Sequence, residues 1–115
     1  MIDENKGYYK VYLEIEGYSQ FIRFYETKNK LPEDSLNKKL NECMPTLKKE
    51  EAKGIDELRK WFEDIFIPNI VEEFNLERIP HVINLNKDFI TEICGYKLTL
   101  EDRKKWNTAE NVETQ

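Results

Sequence analysis

Glycine is scarce in this chain, accounting for four of its 115 residues. None lies in a glycine-rich stretch of the kind that cradles a phosphate or forms an oxyanion loop. Histidine occurs once and cysteine twice, and neither falls in the spacing typical of a zinc site. The sequence therefore predicts a protein that is not an enzyme and that carries no cofactor or metal.

Long apolar runs are also missing. No stretch approaches the roughly 20 residues that a membrane-spanning helix requires, and the first residues lack a signal-peptide pattern. Cys43 and Cys94 are far apart in the chain, as is typical of reduced, buried thiols. These features predict a soluble, cytoplasmic protein without membrane contacts.

The composition describes a globular chain with a mild acidic excess. Charged residues make up 36% and apolar residues 39%, while aromatics, at 12%, compensate for the low apolar fraction. The net charge of −5 argues against indiscriminate binding to nucleic acid or anionic membranes. We predict a single domain over residues 1–106, followed by a polar tail at 107–115.

Residues 8–25 have the pattern of a β-hairpin. Two alternating runs flank Gly17-Tyr18, and glycine at the first central position suits a type II′ turn. A turn at these two residues sets Leu13 opposite Ile22 and Tyr12 opposite Arg23. The predicted apolar face comprises Val11, Leu13, Ile15, Ile22 and Phe24. The predicted opposite face comprises Lys10, Tyr12, Glu14, Phe21, Arg23 and Tyr25.

Helical patterns fill the middle of the chain. Pro32, followed by acidic residues, predicts a helix start, and Pro45 predicts the end of that helix, with Thr46 capping the next one. An apolar stripe defines the strongest helix, which Gly54 either interrupts or joins to the preceding one. Pro68 predicts a kink or restart, and Asn75 a stop. The stripe contains Ile55, Leu58, Trp61, Phe62, Ile65 and Phe66.

The last third of the sequence is less decisive. Residues 79–85 alternate like a third strand, whereas Phe89–Cys94 favours a short helix but also fits a strand paired with 79–85. Thr99 resembles the cap of a final helix that ends near Trp106. The predicted fold is α+β: a small antiparallel or mixed sheet, made of the hairpin plus a third strand, packed against an amphipathic helical unit, with short C-terminal helices.

The aromatic hairpin face is the leading candidate for a protein-binding site, because rings and arginine dominate binding hot spots. The alternative is that another element covers this face. A secondary candidate is the acidic helix face of Asp56, Glu57, Glu63 and Asp64, which could steer a basic partner or simply face solvent. His81 has no recognisable catalytic partner in either cysteine. Trp61 is expected in the core, and Trp106 either docks the C-terminus or anchors a partner.

These features favour a small inhibitory protein that occludes a surface of a larger protein, as a phage inhibitor of host defence or a toxin-immunity protein does. One alternative is a structural subunit that forms a homo-oligomer through the hairpin edge. Another is a single-stranded nucleic acid binder that stacks bases on the rings. The sequence does not identify the partner.

Overall fold

The computed structural model describes residues 5–80 and 90–102. Four described strands form one mixed sheet in the order β3-β2-β1-β4. β1 runs antiparallel to β2 and parallel to β4, and β2 runs antiparallel to β3. The predicted α+β class with a mixed sheet is confirmed. The strands are β1 (Gly7–Ile15), β2 (Ser19–Thr27), β3 (Glu77–Ile79) and β4 (Glu92–Leu98).

Helical segments occupy most of the chain between β2 and β3. α3, a π-helix and α4 follow one another without a break, and we call them together the long helical unit. Residues 100–102 form a further helical turn. The segments are α1 (Ser35–Glu42), α2 (Met44–Lys53), α3 (Ile55–Trp61), the π-helix (Phe62–Phe66) and α4 (Ile67–Phe74).

One hydrophobic core joins these helices to a single face of the sheet. Val11 and Leu13 on β1 point into it, and Cys94 and Leu98 extend it onto β4. All described helices from α1 to α4 contribute to this same cluster. The predicted packing of the long helical unit against the hairpin is therefore confirmed. The helical side chains in the core are Leu36, Leu40, Leu47, Leu58, Trp61, Phe62, Phe66, Ile67 and Ile70.

The hairpin forms as predicted, but its predicted register is wrong by one residue. Leu13 lies opposite Phe21 instead of Ile22, and Tyr12 lies opposite Ile22 instead of Arg23. Since neighbouring side chains on a strand point to opposite faces, this shift turns every β2 residue over relative to the prediction. Phe21, Arg23 and Tyr25 therefore share the helix-covered side with Val11, Leu13 and Ile15, whereas Ile22 and Phe24 lie on the other side.

The physical reason lies in the turn and in the composition of β2. Ile15 pairs with Ser19, so the loop contains three residues, and the N–H of Tyr18 donates to the Ile15 carbonyl at 2.9 Å. Gly17 has a φ of 76°, which suits the third position of a type II turn. β2 carries large apolar side chains on both faces, so its pattern alone specifies the register weakly.

Three predicted helix boundaries are corrected. α1 begins at Ser35 and not at Pro32, because Asp34 adopts the left-handed conformation with a φ of 61°. Pro45 lies in the first turn of α2, where its missing N–H needs no partner, so Thr46 is not the cap. Gly54 separates α2 from α3 with a φ of 138°, which settles the open alternative in favour of two helices.

The long helical unit passes through Pro68 and ends at Asn75. The π-helix immediately precedes Pro68 and leaves room for a residue without an N–H, so α-helical hydrogen bonding restarts there as predicted. Asn75 ends α4 in the left-handed conformation with a φ of 53°, which confirms the predicted stop. The prediction that Ile65 lies in the apolar stripe is wrong, because this side chain is 51% exposed.

The favoured helix at Phe89–Cys94 is also wrong within the described residues. Glu92–Leu98 is a strand, and it pairs in parallel with β1. Glu77 and Arg78, predicted as a connector, pair with β2. Thr99 caps the final turn as predicted, with its Oγ1 accepting from the Asp102 N–H at 3.1 Å. The remaining predictions, on residues 81–89, on Trp106 and on the tail at 107–115, lie outside the described residues.

Candidate functional site

The sheet presents a second surface on the side away from the helical core. It is built by the residues of β1 that alternate with the buried ones, by their partners in β2, and by the matching positions of β4. None of these side chains belongs to the core cluster. We call this surface the outer face, and it consists of Lys10, Tyr12, Glu14, Gln20, Ile22, Ile93, Gly95 and Lys97.

Tyr12 lies at the centre of the outer face, and its ring extends over Gly95 on the neighbouring strand. A Cβ atom added at Gly95 would come within 2.2 Å of two Tyr12 ring carbons, so only glycine leaves room for this ring. The Lys10 ammonium lies 5.8 Å from the centre of the same ring, within the range of a cation–π contact. The ring is therefore held against the sheet with one side available.

Aliphatic side chains adjoin the Tyr12 ring. Ile22 is its cross-strand partner in β2 and is half-buried. Ile93, opposite Lys10 on β4, is 52% exposed. A ring flanked by two isoleucines gives a small apolar centre on a surface that the described helices do not cover.

The charges around this centre are largely balanced. Lys97 Nζ lies 3.2 Å from a Glu14 carboxylate oxygen, and the Gln20 side chain donates to Glu14 at 3.2 Å. The hydrogen bond to Glu14 raises the pKa of Lys97, so this lysine stays cationic. An apolar centre with a paired polar rim resembles the composition of protein-binding surfaces.

Burial increases along the outer side of the sheet with distance from the hairpin turn. Tyr8 and Ile79 are each only 8% exposed, whereas Gln20 and Lys97 are exposed. The accessible part of the outer face is therefore the half nearest the turn together with Ile93 on β4, which is 52% exposed.

The six residues predicted to form one binding face are divided between two. Lys10, Tyr12 and Glu14 lie on the outer face, whereas Phe21, Arg23 and Tyr25 lie on the helix side. The predicted single surface is therefore corrected by the register of the hairpin.

The three displaced residues make contacts within the fold. The Phe21 ring packs edge-on against Phe62 with centroids 5.9 Å apart, and the Arg23 guanidinium lies 4.3 Å from the Phe21 centroid. Arg23 also donates to the Ile22 carbonyl at 2.9 Å. Tyr25 is 4% exposed, and burial raises the pKa of its hydroxyl while Arg78 and Arg23 act in the opposite direction.

The acidic helix residues lie where the sequence placed them, on the outside of the long helical unit. Glu57 and Asp64 are exposed and Glu63 is half-buried. Asp56 accepts a hydrogen bond from the Tyr18 hydroxyl at 3.3 Å, linking the hairpin turn to α3. Within residues 5–80 and 90–102, no group of three or more His, Cys, Asp or Glu residues could hold a metal ion.

The cysteines do not form a nucleophilic site in the described structure. Cys94 is fully buried, and burial, with a smaller effect of Glu92, raises the pKa of its thiol to about 12. A thiol of this kind is protonated at neutral pH and is a poor nucleophile. Cys43 is half-buried, and both thiols are free. Trp61 is buried in the core as predicted.

A polar cluster that the sequence did not reveal joins α2 to β4. The Tyr96 hydroxyl donates to the buried carboxylate of Glu51 and accepts from Lys48 Nζ, which lies 2.7 Å away. Burial, followed by the hydrogen bond to Glu51, raises the pKa of Tyr96. The phenol stays neutral near pH 7, and its hydrogen bonds with Glu51 and Lys48 link β4 to α2. Only the strand alternation of β4 places Tyr96 on the helix side, and no signal indicates Glu51 as its partner.

No known protein family, no curated protein and no solved structure matches this chain. Among the described helices, none combines the length and apolar character needed to cross a bilayer. The function is therefore argued from the surfaces themselves.

Proposed function

We propose that this is a non-enzymatic binding protein that covers a surface of a larger protein with its outer face. The observation that carries the proposal is Tyr12, whose ring lies over Gly95 beside the exposed Ile93 and on the side of the sheet away from the core. A tyrosine fixed in one orientation loses little side-chain entropy on binding and brings a large contact area.

The charge pattern favours a protein as the occupant. Glu14 pairs with Lys97, so among the described residues Lys10, whose ammonium lies over the Tyr12 ring, is the outer-face cation without an ion pair. A nucleic acid or an anionic lipid surface would need several cations in register, and the whole chain carries a net charge of −5. A partner with an apolar centre and a mixed polar rim fits better.

Surface occlusion needs only a few strongly contacting residues at the centre of the outer face. A stable interface covers on the order of 800 Å² per partner, of which a few central residues supply most of the binding energy. Tyr12, Ile22 and Ile93 would supply that centre. We propose that the protein is a phage-encoded inhibitor or a bacterial immunity protein that acts in the bacterial cytoplasm. The two free thiols are in keeping with this reducing compartment.

The test compares Tyr12→Ser with Tyr18→Ser, and Ile93→Ser with Ile65→Ser. Ile65 is a matched control for Ile93, because it lies away from the outer face and is 51% exposed, against 52% for Ile93. Tyr18 is an exposed tyrosine of the hairpin turn that does not belong to the outer face. The tagged protein is used to capture partners from bacterial lysate, and each captured protein is then purified and titrated against all four variants. We expect Kd to rise at least about tenfold for Tyr12→Ser and Ile93→Ser, with no change for the two controls.

Three results would overturn the proposal. The first is a set of partners that binds the Tyr12 and Ile93 variants as tightly as the wild-type protein. The second is a mass that grows with protein concentration in light scattering and returns to the monomer value in Ile93→Ser, which would assign the face to a second copy of the chain. The third is salt-dependent binding of a single-stranded oligonucleotide that Tyr12→Ser abolishes.

A further inference from the structure

Five large apolar residues of the long helical unit recur at intervals of four. An α-helix advances about 100° per residue, so each four-residue step overshoots a full turn by roughly 40° and the row would drift away from the core. The π-helix at Phe62–Phe66 widens one turn, with the Ile67 N–H bonded to the Phe62 carbonyl, and corrects this drift. The row is Leu58, Phe62, Phe66, Ile70 and Phe74.

The wide turn also decides which of two isoleucines is buried, Ile65 or Ile67. On a regular α-helix, Ile67 would point about 180° away from Leu58, and Ile65 would point into the core. In the structure Ile67 is 8% exposed, whereas Ile65 is 51% exposed. Burial of an isoleucine side chain stabilises the folded state by about 1.5–3 kcal/mol, and the half-exposed Ile65 contributes only part of this.

The core does not require the extra residue. If Ile65 were absent, an ordinary α-helix would bring Phe62, Phe66, Ile67 and Ile70 onto one arc with Leu58, at about 100° per residue. The π-turn thus keeps the buried row on the core in front of Pro68, and it leaves the side chain of Ile65 exposed. Single π-turns of this kind are frequent at functional sites.

Ile65 forms part of the wall of a shallow hollow between α2 and the long helical unit. Trp61 lies beside it, stacked on Phe66 with centroids 5.7 Å apart, which fixes the apolar wall. The hollow, of about 230 Å³, is smaller than a typical small-molecule site of about 300–1,000 Å³. Its full lining is Glu50, Glu57, Lys60, Trp61, Asp64 and Ile65.

The rim of the hollow is acidic. Three carboxylates line it against the single ammonium of Lys60. Glu50 forms an ion pair with Lys53 at 3.1 Å, while the carboxylates of Glu57 and Asp64 are exposed. An apolar wall bordered by exposed carboxylates is complementary to a segment with apolar residues on one side and lysine or arginine beside them.

We propose that this hollow binds a basic amphipathic helix of another protein. An apolar side chain of that helix packs against Ile65 and Trp61, and its flanking cations face Glu57 and Asp64. This site is separate from the outer face, and neither proposal depends on the other.

The probe is a synthetic helical peptide of about 18 residues, five turns long, with leucine on one side and lysine on the other. A second peptide with glutamate in place of lysine controls for charge. Titration by fluorescence anisotropy should show saturable, one-to-one binding of the lysine peptide and none of the glutamate peptide. We expect Ile65→Ser to weaken binding by at least about tenfold, and Glu57→Gln/Asp64→Asn by at least about fivefold.

Two control variants separate this site from general attraction to an acidic protein. Glu33→Gln/Glu77→Gln changes the net charge equally but alters exposed residues outside the lining of the hollow, and Leu100→Ser removes another exposed apolar side chain that does not line it. Both should bind the lysine peptide as the wild-type protein does. The proposal is overturned if the lysine peptide does not bind, if Ile65→Ser binds it normally, or if the control pair weakens binding as much as Glu57→Gln/Asp64→Asn.

Discussion

Glu92 on β4 accepts two hydrogen bonds from Asn37 in the first turn of α1, at 2.9 Å from the backbone N–H and 2.8 Å from the side-chain amide. The carboxylate is 9% exposed. It lies where the helix dipole favours a negative charge and where the first N–H groups have no partner within the helix. A side chain more than 50 residues further along the chain thus caps α1.

We therefore expect Glu92→Ala to lower the free energy of unfolding by about 2 kcal/mol, because both hydrogen bonds and the helix cap are lost. Glu92→Gln keeps an acceptor but loses the charge, and should cost about 1 kcal/mol. Urea denaturation monitored by circular dichroism measures both. Glu101→Ala, at an exposed glutamate, is the control and should stay within about 0.5 kcal/mol. Equal stability of Glu92→Ala and the wild-type protein would show that α1 does not depend on this cap.

The register of the hairpin predicts which half of β2 supports the fold. Tyr25→Ala should lower the free energy of unfolding by about 3 kcal/mol, since this ring lies in the core, whereas Ile22→Ala should cost about 1 kcal/mol. Urea denaturation ranks the two variants, and nuclear Overhauser contacts between Leu13 and Phe21 report the pairing directly. A larger effect at Ile22, with contacts between Leu13 and Ile22, would restore the register expected from a two-residue turn.

The sequence specifies β1 and the helical unit better than β2 and β4. From Tyr9 to Ile15 in β1, buried residues alternate with half-buried ones, so the prediction places Val11 and Leu13 correctly. In β2 both faces are apolar, and only the turn and the pairing of Glu16 with Leu98 on β4 decide which one faces the helices. The pairing of Glu16 with Leu98 joins residues distant in sequence, which a local pattern does not contain.

The same limit explains the missed parts of the candidate surfaces. The outer face depends on Gly95, and a glycine directly after the helix predicted at Phe89–Cys94 is typical of a helix C-terminus rather than of a strand. The strand becomes evident only through its pairing with β1. By contrast, the four-residue spacing continued from Leu58 to Phe74 could have indicated the wide turn, because on a regular α-helix that row of five would spread over about 160°.

Gly95→Ala tests the support of Tyr12. The new Cβ would overlap the ring, so the ring must swing away, at an expected net cost of about 1 kcal/mol in the free energy of unfolding. In the Tyr12→Ala background, Gly95→Ala should change the free energy of unfolding by much less, because no ring remains to be displaced. The four unfolding free energies of this cycle give the coupling. Additive effects would mean that the Tyr12 ring does not rest on Gly95.

Cys94 predicts an alkaline loss of stability. Its folded-state pKa, raised from 9.0 to about 12, means that the folded protein holds this proton more tightly than the unfolded chain. The contribution of Cys94 to the free energy of unfolding is therefore constant below about pH 9. It falls between pH 9 and 12, by at most about 1.4 kcal/mol per pH unit. Urea denaturation from pH 8 to 10.5 should show a shallower decline in Cys94→Ala than in the wild-type protein.

Thiol labelling gives an independent measure of the same burial. At pH 8, iodoacetamide should modify Cys43 first and Cys94 only under unfolding conditions, as read by peptide mass spectrometry. Rapid labelling of Cys94 in the folded protein, or identical pH profiles for the wild-type protein and Cys94→Ala, would contradict the buried, protonated thiol.

Deletion of Ile65 separates the requirements of the core from those of the surface. The deletion is made in a Pro68→Ala background, because an ordinary α-helical turn would bring the proline ring against the carbonyl four residues earlier. With one residue fewer, the π-turn becomes an α-helical turn and the buried residues from Leu58 to Ile70 keep one face, so we expect the free energy of unfolding to differ from that of Pro68→Ala by less than about 1 kcal/mol. Insertion of an alanine after Ile65 should instead cost more than about 3 kcal/mol, because Phe66 and Ile67 would turn away from the core. Urea denaturation compares the two, with far-ultraviolet circular dichroism as the check on helix content. If the deletion unfolds the protein, the wide turn is needed for packing, and its exposed isoleucine needs no functional explanation.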